Sequence, residues 1–253
     1  MIDFFLLRHG PTWLRHSILC TALMLCGVVA ERSARAASVT LHVEFRGTAG
    51  KSHASAARPV AVAWLTPFGS IADPAHAGVR RNYRMVQKNK QFDPHLLVVP
   101  VGSLVQFPNH DPFFHNVFSL FEGKRFDLGL YESGTTRVVQ FDKPGISFIF
   151  CNIHEQMSAV VIALATPYYA ISDARGDLAI SDVPPGRYQF QIFHAGVAPD
   201  ALRAMVREIT IAPGQSTLGT FALPESDVAV AHKNKYGHDY DRPEPDSPAY
   251  ARP

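Results

Sequence analysis

Two short stretches of this sequence decide its interpretation: NHDPFFHNVFS at Asn109–Ser119 and FCNIHEQM at Phe150–Met157. The second stretch places a thiol, an imidazole and a thioether at three-residue steps, in Cys151, His154 and Met157. The first stretch supplies a separate imidazole, His115. A β-like segment lies between them and ends in the turn DKPG at residues 142–145. One donor on one loop and three on another can meet at the same end of a β-sandwich.

Two imidazoles, one thiolate and a weak thioether are the ligands of a trigonal copper site used for electron transfer. The absence of a carboxylate from the set argues against magnesium or calcium. Zinc accepts the same imidazole and thiolate groups but usually takes no thioether. The sequence therefore predicts copper, with His115, Cys151, His154 and Met157 as ligands.

Each of these residues also has a structural interpretation when taken singly. A single buried cysteine or methionine is more often part of the core than a ligand. His110 lies on the same loop as His115 and is an alternative ligand. We prefer His115 because Asn116 follows it, and its hydrogen bonds can hold the loop as groups around a metal site do.

Composition limits the classes of function. The chain has 253 residues, 47% hydrophobic and 18% charged, which is typical of globular domains. A net charge of +2 favours neither nucleic acid nor an anionic membrane as a partner. Of the three cysteines, Cys20 and Cys26 lie in an apolar N-terminal run, so Cys151 has no cysteine partner in the rest of the chain. A lone thiol in an exported protein is explained by pairing with another chain, by burial as a small apolar residue or by coordination to a metal, and Cys151 is the only one of the three with His and Met beside it.

The N-terminus, residues 1–37, predicts an export signal preceded by an extension. Arg15 and His16 precede an apolar run at residues 17–30, and the sequence Ala-Arg-Ala follows at 34–36. We expect cleavage near Ala36 and a periplasmic protein with no membrane span once the signal is removed. In the extension, LLRHGPT around His9 resembles the motif that opens the histidine phosphatases. A chance match is the better interpretation, because the motif leads directly into the export signal.

The rest of the chain predicts an all-β protein. Short runs of alternating apolar residues are separated by Pro and Gly at intervals typical of a sandwich or barrel. The first strands are expected within residues 38–67, and the metal-binding unit within 82–165. A second unit of strands and Gly- and Pro-containing turns follows at 166–225. The polar, proline-rich residues 226–253 are expected to be a disordered tail, with His232 and His238 as loose metal ligands at most.

Residues 82–165 resemble the cupredoxins, the family of plastocyanin and amicyanin. The resemblance is carried by three motifs: FPN at residues 107–109, HNV at 115–117, and Cys151-x-x-His154-x-x-Met157. It implies a Greek-key sandwich in which His115, His154 and Cys151 are the equatorial copper ligands and Met157 is the weak axial ligand. Asn116 would connect its loop to the cysteine loop. The chain also resembles periplasmic cupredoxin-type proteins labelled methylamine-utilisation proteins.

Residues 166–225 resemble the carboxypeptidase-regulatory or transthyretin-like β-sandwich, an immunoglobulin-like fold. The resemblance is carried by the Asp-x-x-Gly turn at 173–176 and the Pro-Gly-x-Tyr hairpin at 185–188. That module usually begins with two strands like those at 39–45 and 60–65. We therefore hypothesise that the copper unit is inserted into the second sandwich. His194 and Asp200 could form a site in this unit, but a solvated loop is the better interpretation.

The function expected from these features is that of a non-enzymatic, periplasmic blue copper protein that carries single electrons to and from a redox partner protein. A partner would approach near His154, which is expected to be the more exposed imidazole. The alternative is a binding or copper-storage module with no redox role. A phosphatase based on His9 is a remote third hypothesis.

Overall fold

The structure is a computed structural model that describes residues 36–47, 60–69, 82–120, 123–225 and 232–240. Within these ranges the regular secondary structure is β-strand, apart from one short helix, α1 (Pro199–Ala204). The all-β fold class predicted from the sequence is therefore confirmed. A search of the same residues for a helix long and apolar enough to cross a membrane finds none.

The strands follow the apolar runs of the sequence. The first nine are β1 (Ala37–Gly47), β2 (Val62–Pro67), β3 (Tyr83–Arg84), β4 (Val86–Lys88), β5 (Gln91–Asp93), β6 (Leu96–Pro100), β7 (Ser103–Pro108), β8 (His115–Ser119) and β9 (Phe126–Tyr131). The others are β10 (Thr136–Phe141), β11 (Gly145–Cys151), β12 (Ser158–Leu164), β13 (Tyr169–Ile171), β14 (Asp177–Val183), β15 (Gly186–Phe193), β16 (Arg207–Ile211) and β17 (Gln215–Glu225).

Strands β3–β12 form what we call the central unit. Its two larger sheets have the strand orders β10-β7-β3 and β6-β12-β11-β8-β9, and β4 pairs with β5 as a hairpin. Alternate side chains of both sheets share one core, which includes Val105, Phe107, Val139, Phe141, Val117, Ile149 and Val161. Because apolar residues alternate along each strand, the two sheets pack face to face.

The strand β12 is buried on both of its faces. Its sequence, SAVVIAL, is apolar at every position after the first, as expected of a strand covered on two sides. Ala159, Val161 and Ala163 face the core of the central unit. The other face meets a second cluster of side chains from β12, β2 and β15, which contains Val160, Ile162, Leu164, Val62, Trp64 and Phe193.

Strands β1, β2 and β13–β17, with α1, form what we call the flanking unit. Its sheets have the orders β14-β1-β17 and β13-β2-β15-β16. They share a separate core, which includes Val39, Leu41, Leu65, Leu178, Ile180, Tyr188, Phe190 and Leu223. Alternate positions of β1 and β14 point into this core, and aromatic residues of β15 fill the space between the sheets.

The chain enters the central unit from the flanking unit and returns to it. β1 pairs antiparallel with β14 and parallel with β17, and β2 pairs antiparallel with β13 and β15. All four partners come after the central unit in the sequence. These pairings are the ones expected if the central unit is inserted between β2 and β13.

Candidate metal centre

His115 is the first residue of β8, where it pairs with Tyr131 of β9, and does not lie on the preceding loop as we expected. Its side chain is fully buried. Its Nε2 atom lies 2.8 Å from Oδ2 of Asp111, and its Nδ1 atom lies 3.6 Å from Sγ of Cys151. Because a carboxylate accepts the Nε2 proton, the Nδ1 lone pair is left facing the sulfur.

Asp111 holds this imidazole in place and is the residue of the site that sequence reasoning missed. Its carboxylate accepts the backbone N–H groups of Asn89, at 2.6 Å, and Lys90, at 3.0 Å, in the turn between β4 and β5. Burial raises the pKa of Asp111, but the hydrogen bonds from Lys90, His115 and Asn89 outweigh burial and lower the pKa below its usual value. The sequence feature that could have identified Asp111 is its position four residues before a predicted ligand, His115.

Cys151 is the last residue of β11 and is fully buried. Burial raises the pKa of its thiol, although the backbone N–H groups of Ile153, Asn116 and His154 act in the opposite direction. Hydrogen bonds to sulfur favour the thiolate, as does a bound cation. The thiol is therefore protonated in the absence of a cation, and its surroundings are already arranged to accept an anionic sulfur.

His154 lies on the turn after β11 and is partly buried, so it is the more exposed of the two imidazoles, as expected. Its Nδ1 atom lies 3.5 Å from Sγ of Cys151. The ring centroids of His154 and His115 are 4.9 Å apart, and the ring of Phe113 contacts both. Burial, followed by the charge of His115, lowers the pKa of His154 to about 4, so its ring is neutral near pH 7.

Met157 closes the turn that carries His154. Its backbone N–H donates to the carbonyl of His154 at 3.0 Å, and its carbonyl accepts the N–H of Cys151 at 3.1 Å. The side chain is fully buried in the same apolar cluster as Cys151. The three-residue steps of the sequence therefore correspond to one compact turn, which we call the ligand turn (Cys151–Met157).

The three nitrogen and sulfur donors of His115, Cys151 and His154 all lie within 4.8 Å of one another. Two ligands of one ion with bonds of about 2.3 Å to sulfur and about 2.05 Å to nitrogen lie roughly 3.6–3.8 Å apart at trigonal or tetrahedral angles. The observed sulfur–nitrogen distances of 3.5 and 3.6 Å agree with such a pair of bonds. The residues present therefore fit a thiolate-binding transition metal.

Two further details concern the alternative ligand His110 and the connection expected of Asn116. His110 is exposed, and its backbone N–H donates to the carbonyl of Gln87, so His115 and not His110 faces the thiol. Asn116 connects β8 to the ligand turn through its backbone, because its carbonyl accepts the N–H of Asn152 at 2.9 Å. The side-chain amide of Asn116 donates instead to Asp127 and to the carbonyl of Gly129.

Within the segment predicted to be a disordered tail, residues 232–240 contact the ligand turn. His232 stacks on Phe150, with ring centroids 3.9 Å apart, and the hydroxyl of Tyr240 donates to the carbonyl of Cys151 at 2.8 Å. Polar composition suggested a solvated segment, but two aromatic side chains and backbone-directed hydrogen bonds attach it to the ligand turn. His232 takes part in this contact, and His238 is exposed. Residues 226–231 and 241–253 lie outside the described ranges.

Other candidate residues are not brought together. His194 is buried and not on a solvated loop: its ring packs on Phe45, with ring centroids 4.7 Å apart. Asp200, in α1, is exposed and pairs with Arg203. His9 and the predicted export signal, up to residue 35, lie outside the described residues.

Comparison with known proteins finds similarity in structure only. No family model matches the chain, and no curated protein matches it. A purple cupredoxin from Nitrosopumilus maritimus is 22% identical, covers 33% of this chain and 100% of its own length, and has a TM-score of 0.31. A copper-containing nitrite reductase from Thermus scotoductus SA-01 is 21% identical over 47% of this chain and 28% of its own length, with a TM-score of 0.33.

A single-site mutant of amicyanin in the Cu(I) form is 16% identical and covers 33% of this chain and 82% of its own length, with a TM-score of 0.31. The structural neighbours are thus cupredoxins, similar to this chain over less than half of its residues. The assignment of the site depends on its own geometry.

Proposed function

We propose that the chain is a periplasmic, cupredoxin-type protein that binds one type 1 copper and carries single electrons between partner proteins. One observation carries the proposal: two imidazole Nδ1 atoms and one thiol sulfur lie within 4.8 Å of one another. Copper held by such donors supplies a one-electron couple. We propose Met157 as the weak axial ligand, because it ends the ligand turn and its side chain is buried in the same apolar cluster as Cys151.

The protein's own hydrogen bonds set the positions of these donors. Asp111 holds the ring of His115, and Asn89 and Lys90 hold Asp111. Backbone N–H groups surround the sulfur of Cys151. A donor set fixed in this way needs little movement when the charge of a bound ion changes, and small reorganisation favours rapid electron transfer over substrate turnover. We therefore propose an electron carrier and not an enzyme.

His154 is the proposed point of contact with a redox partner, because it is the more exposed of the two imidazoles. The flanking unit is proposed to be of the carboxypeptidase-regulatory or transthyretin-like type. Its strand pairing and its Asp-x-x-Gly turn support that assignment: the N–H groups of Arg175 and Asp177 both donate to the Asp173 carboxylate.

The test is addition of Cu(II) to the protein purified without its predicted signal. A thiolate–copper bond produces an intense blue absorption by charge transfer, with one copper bound per chain. The Cys151→Ser variant should bind copper weakly and remain colourless. The Ser147→Ala variant is a matched control, because Ser147 lies on the same strand and bonds to Lys124 near the other end. It should retain the blue colour.

A colourless wild-type protein would contradict the proposal. If that protein still bound copper, and the binding was lost on substitution of His232 and His238, the function would be storage or binding without electron transfer. Cyclic voltammetry of the blue protein then tests the redox role directly. A reversible one-electron wave is expected, and its absence would exclude an electron carrier.

A further inference from the structure

Residues 232–240, which we call the strap, contact the ligand turn at two separate points. At the first residue of the ligand turn, the carbonyl of Cys151 accepts a hydrogen bond from the hydroxyl of Tyr240 at 2.8 Å. Further along the ligand turn, the carbonyl of Glu155 lies 2.7 Å from Nε2 of His232. These two strap residues also contact each other, with the Tyr240 hydroxyl 3.2 Å from Nδ1 of His232. The strap is therefore bonded to the ligand turn at two places, the carbonyl of Cys151 and the carbonyl of Glu155.

The aromatic rings of the strap add an apolar contact. The His232 ring stacks on Phe150, the residue before Cys151, and its edge meets the ring of Tyr240. His232 and Tyr240 are also the two residues that bond to the carbonyls of the ligand turn. The strap is therefore held by packing as well as by hydrogen bonds.

Lys235 attaches the strap to the ligand turn and to the surroundings of β8, the strand that carries His115. Its backbone N–H donates to the side chain of Asn152, in the ligand turn, at 2.9 Å. Its ammonium pairs with Asp127 at 2.8 Å, and Asp127 in turn accepts from the side chain of Asn116, the residue after His115. The strap thus connects the surroundings of His115 with those of Cys151.

Local hydrogen bonds define the shape of the strap. The Asn234 side chain accepts the N–H groups of Tyr236 and His238, and the backbone of Asn234 bonds to Gly237 and His238. Gly237 has a φ of 79°, which glycine adopts without strain. Because these bonds lie within the strap itself, they restrict its backbone independently of the ligand turn, which reduces the conformational entropy that docking costs.

We propose that the strap is a positioning element of the metal centre, in which Tyr240 and His232 hold the ligand turn from outside the central unit. This inference deepens the proposed copper function and rests on it for its biological meaning. The strap belongs to neither sheet of the central unit, and it follows β17, the last strand of the flanking unit. The chain that leaves the flanking unit thereby contributes to the rigidity of the site.

The chemistry of Tyr240 agrees with a fixed role. Its side chain is partly buried, and its hydroxyl lies 2.8 Å from the carbonyl of Cys151. A phenolic O–H group donates one hydrogen bond, and here that bond is directed to this carbonyl. That carbonyl belongs to the residue that supplies sulfur, so a change at Tyr240 acts directly on the backbone of a proposed ligand.

The test is hydrogen–deuterium exchange of the ligand-turn amides, measured by mass spectrometry on the full chain after removal of metal with a chelator. Tyr240→Phe deletes one hydroxyl, and His232→Leu deletes the imidazole. Loss of one such hydrogen bond should speed exchange of residues 152–157 by about 2- to 10-fold. His238→Leu is the matched control, because His238 lies in the same segment and is exposed. It should leave exchange unchanged.

A second measurement uses the copper-loaded protein. Transfer of copper to an excess of chelator should be faster in Tyr240→Phe and His232→Leu by a similar factor, and unchanged in His238→Leu. Equal exchange in the wild type and both strap variants would overturn the inference, even if the protein is blue. Faster exchange in a protein that never turns blue would uphold the strap and contradict the copper function, so the two failures are distinguishable.

Discussion

His115 of the central unit and His194 of the flanking unit are both buried beside the end of a β-strand. Their exposed fractions are 0% and 3%, and burial is the main cause of a lowered pKa in each, to about 4 in His194. Judged by burial and pKa alone, the two residues are equivalent candidates for a functional site.

The side chains and backbone groups around His115 and His194 distinguish the two residues. His115 has a carboxylate on one ring nitrogen and a thiol 3.6 Å from the other. His194 packs on Phe45, and its Nδ1 accepts the N–H of Gly196 at 3.2 Å. A metal needs several donors at bonding separations, which the central unit supplies and the surroundings of His194, within the described residues, do not. Convergence of donors, and not perturbation of one histidine, identifies the site.

The largest of these expected effects comes from removing His115, one of the two histidines in the donor cluster. His115→Ala should weaken copper binding by more than about 100-fold, because loss of even an outer hydrogen-bond partner costs about 10- to 100-fold. His194→Gln should leave the affinity unchanged. Competition with a chelator of known affinity measures both. An equal loss of copper affinity in the two variants would contradict the distinction between His115 and His194, since it would show that copper binding depends on the general stability of the protein.

Removal of the charge behind His115 should have the next largest effect. Asp111→Asn keeps the shape of the side chain but takes away the anionic acceptor of the Nε2 proton. We expect a loss of copper affinity of about 10- to 100-fold, measured by the same competition. Asp173→Asn in the flanking unit is the control, because its carboxylate also accepts two backbone N–H groups but lies in the other unit. An unchanged affinity in Asp111→Asn would show that His115 needs no anionic partner.

A change of one pH unit should alter the apparent copper affinity less than these substitutions do. Binding displaces the proton of the Cys151 thiol, whose pKa is raised by burial, so apparent copper affinity should rise about tenfold per pH unit. Below pH of about 4 a second proton must leave His154, and the slope should steepen. Titrations from about pH 3.5 to about 7.5 test this. His194→Gln should follow the wild-type curve, although His194 titrates in the same range.

The smallest effect on affinity is expected at Met157. A thioether is a weak ligand, so Met157→Ala should reduce copper affinity by less than about tenfold while shifting the reduction potential. Voltammetry and visible spectroscopy of the blue variant measure both quantities. An unchanged potential would show that the Met157 sulfur does not contact the metal, and would leave a three-donor site.

Much of the fold followed from local patterns. Alternating residues such as those of β1, and continuous apolar runs such as β12, have the periods of half-buried and fully buried strands. The steps between Cys151, His154 and Met157 predicted one short turn, because residues so close in the chain cannot separate far. Helix α1 was not predicted, since its six residues bury no side chain and leave no apolar period.

The sequence by itself determined the all-β class, the candidate donors and the turn that carries three of them, because each depends on residues near one another in the chain. Only the tertiary structure decided that Asp111 holds His115, that β1 and β2 pair with strands beyond the central unit, and that residues 232–240 contact the ligand turn. These contacts join residues distant in sequence, apart from Asp111, whose role depends on the β4–β5 turn. Local periodicity carries no information about such partners, since many alternative pairings satisfy the same pattern.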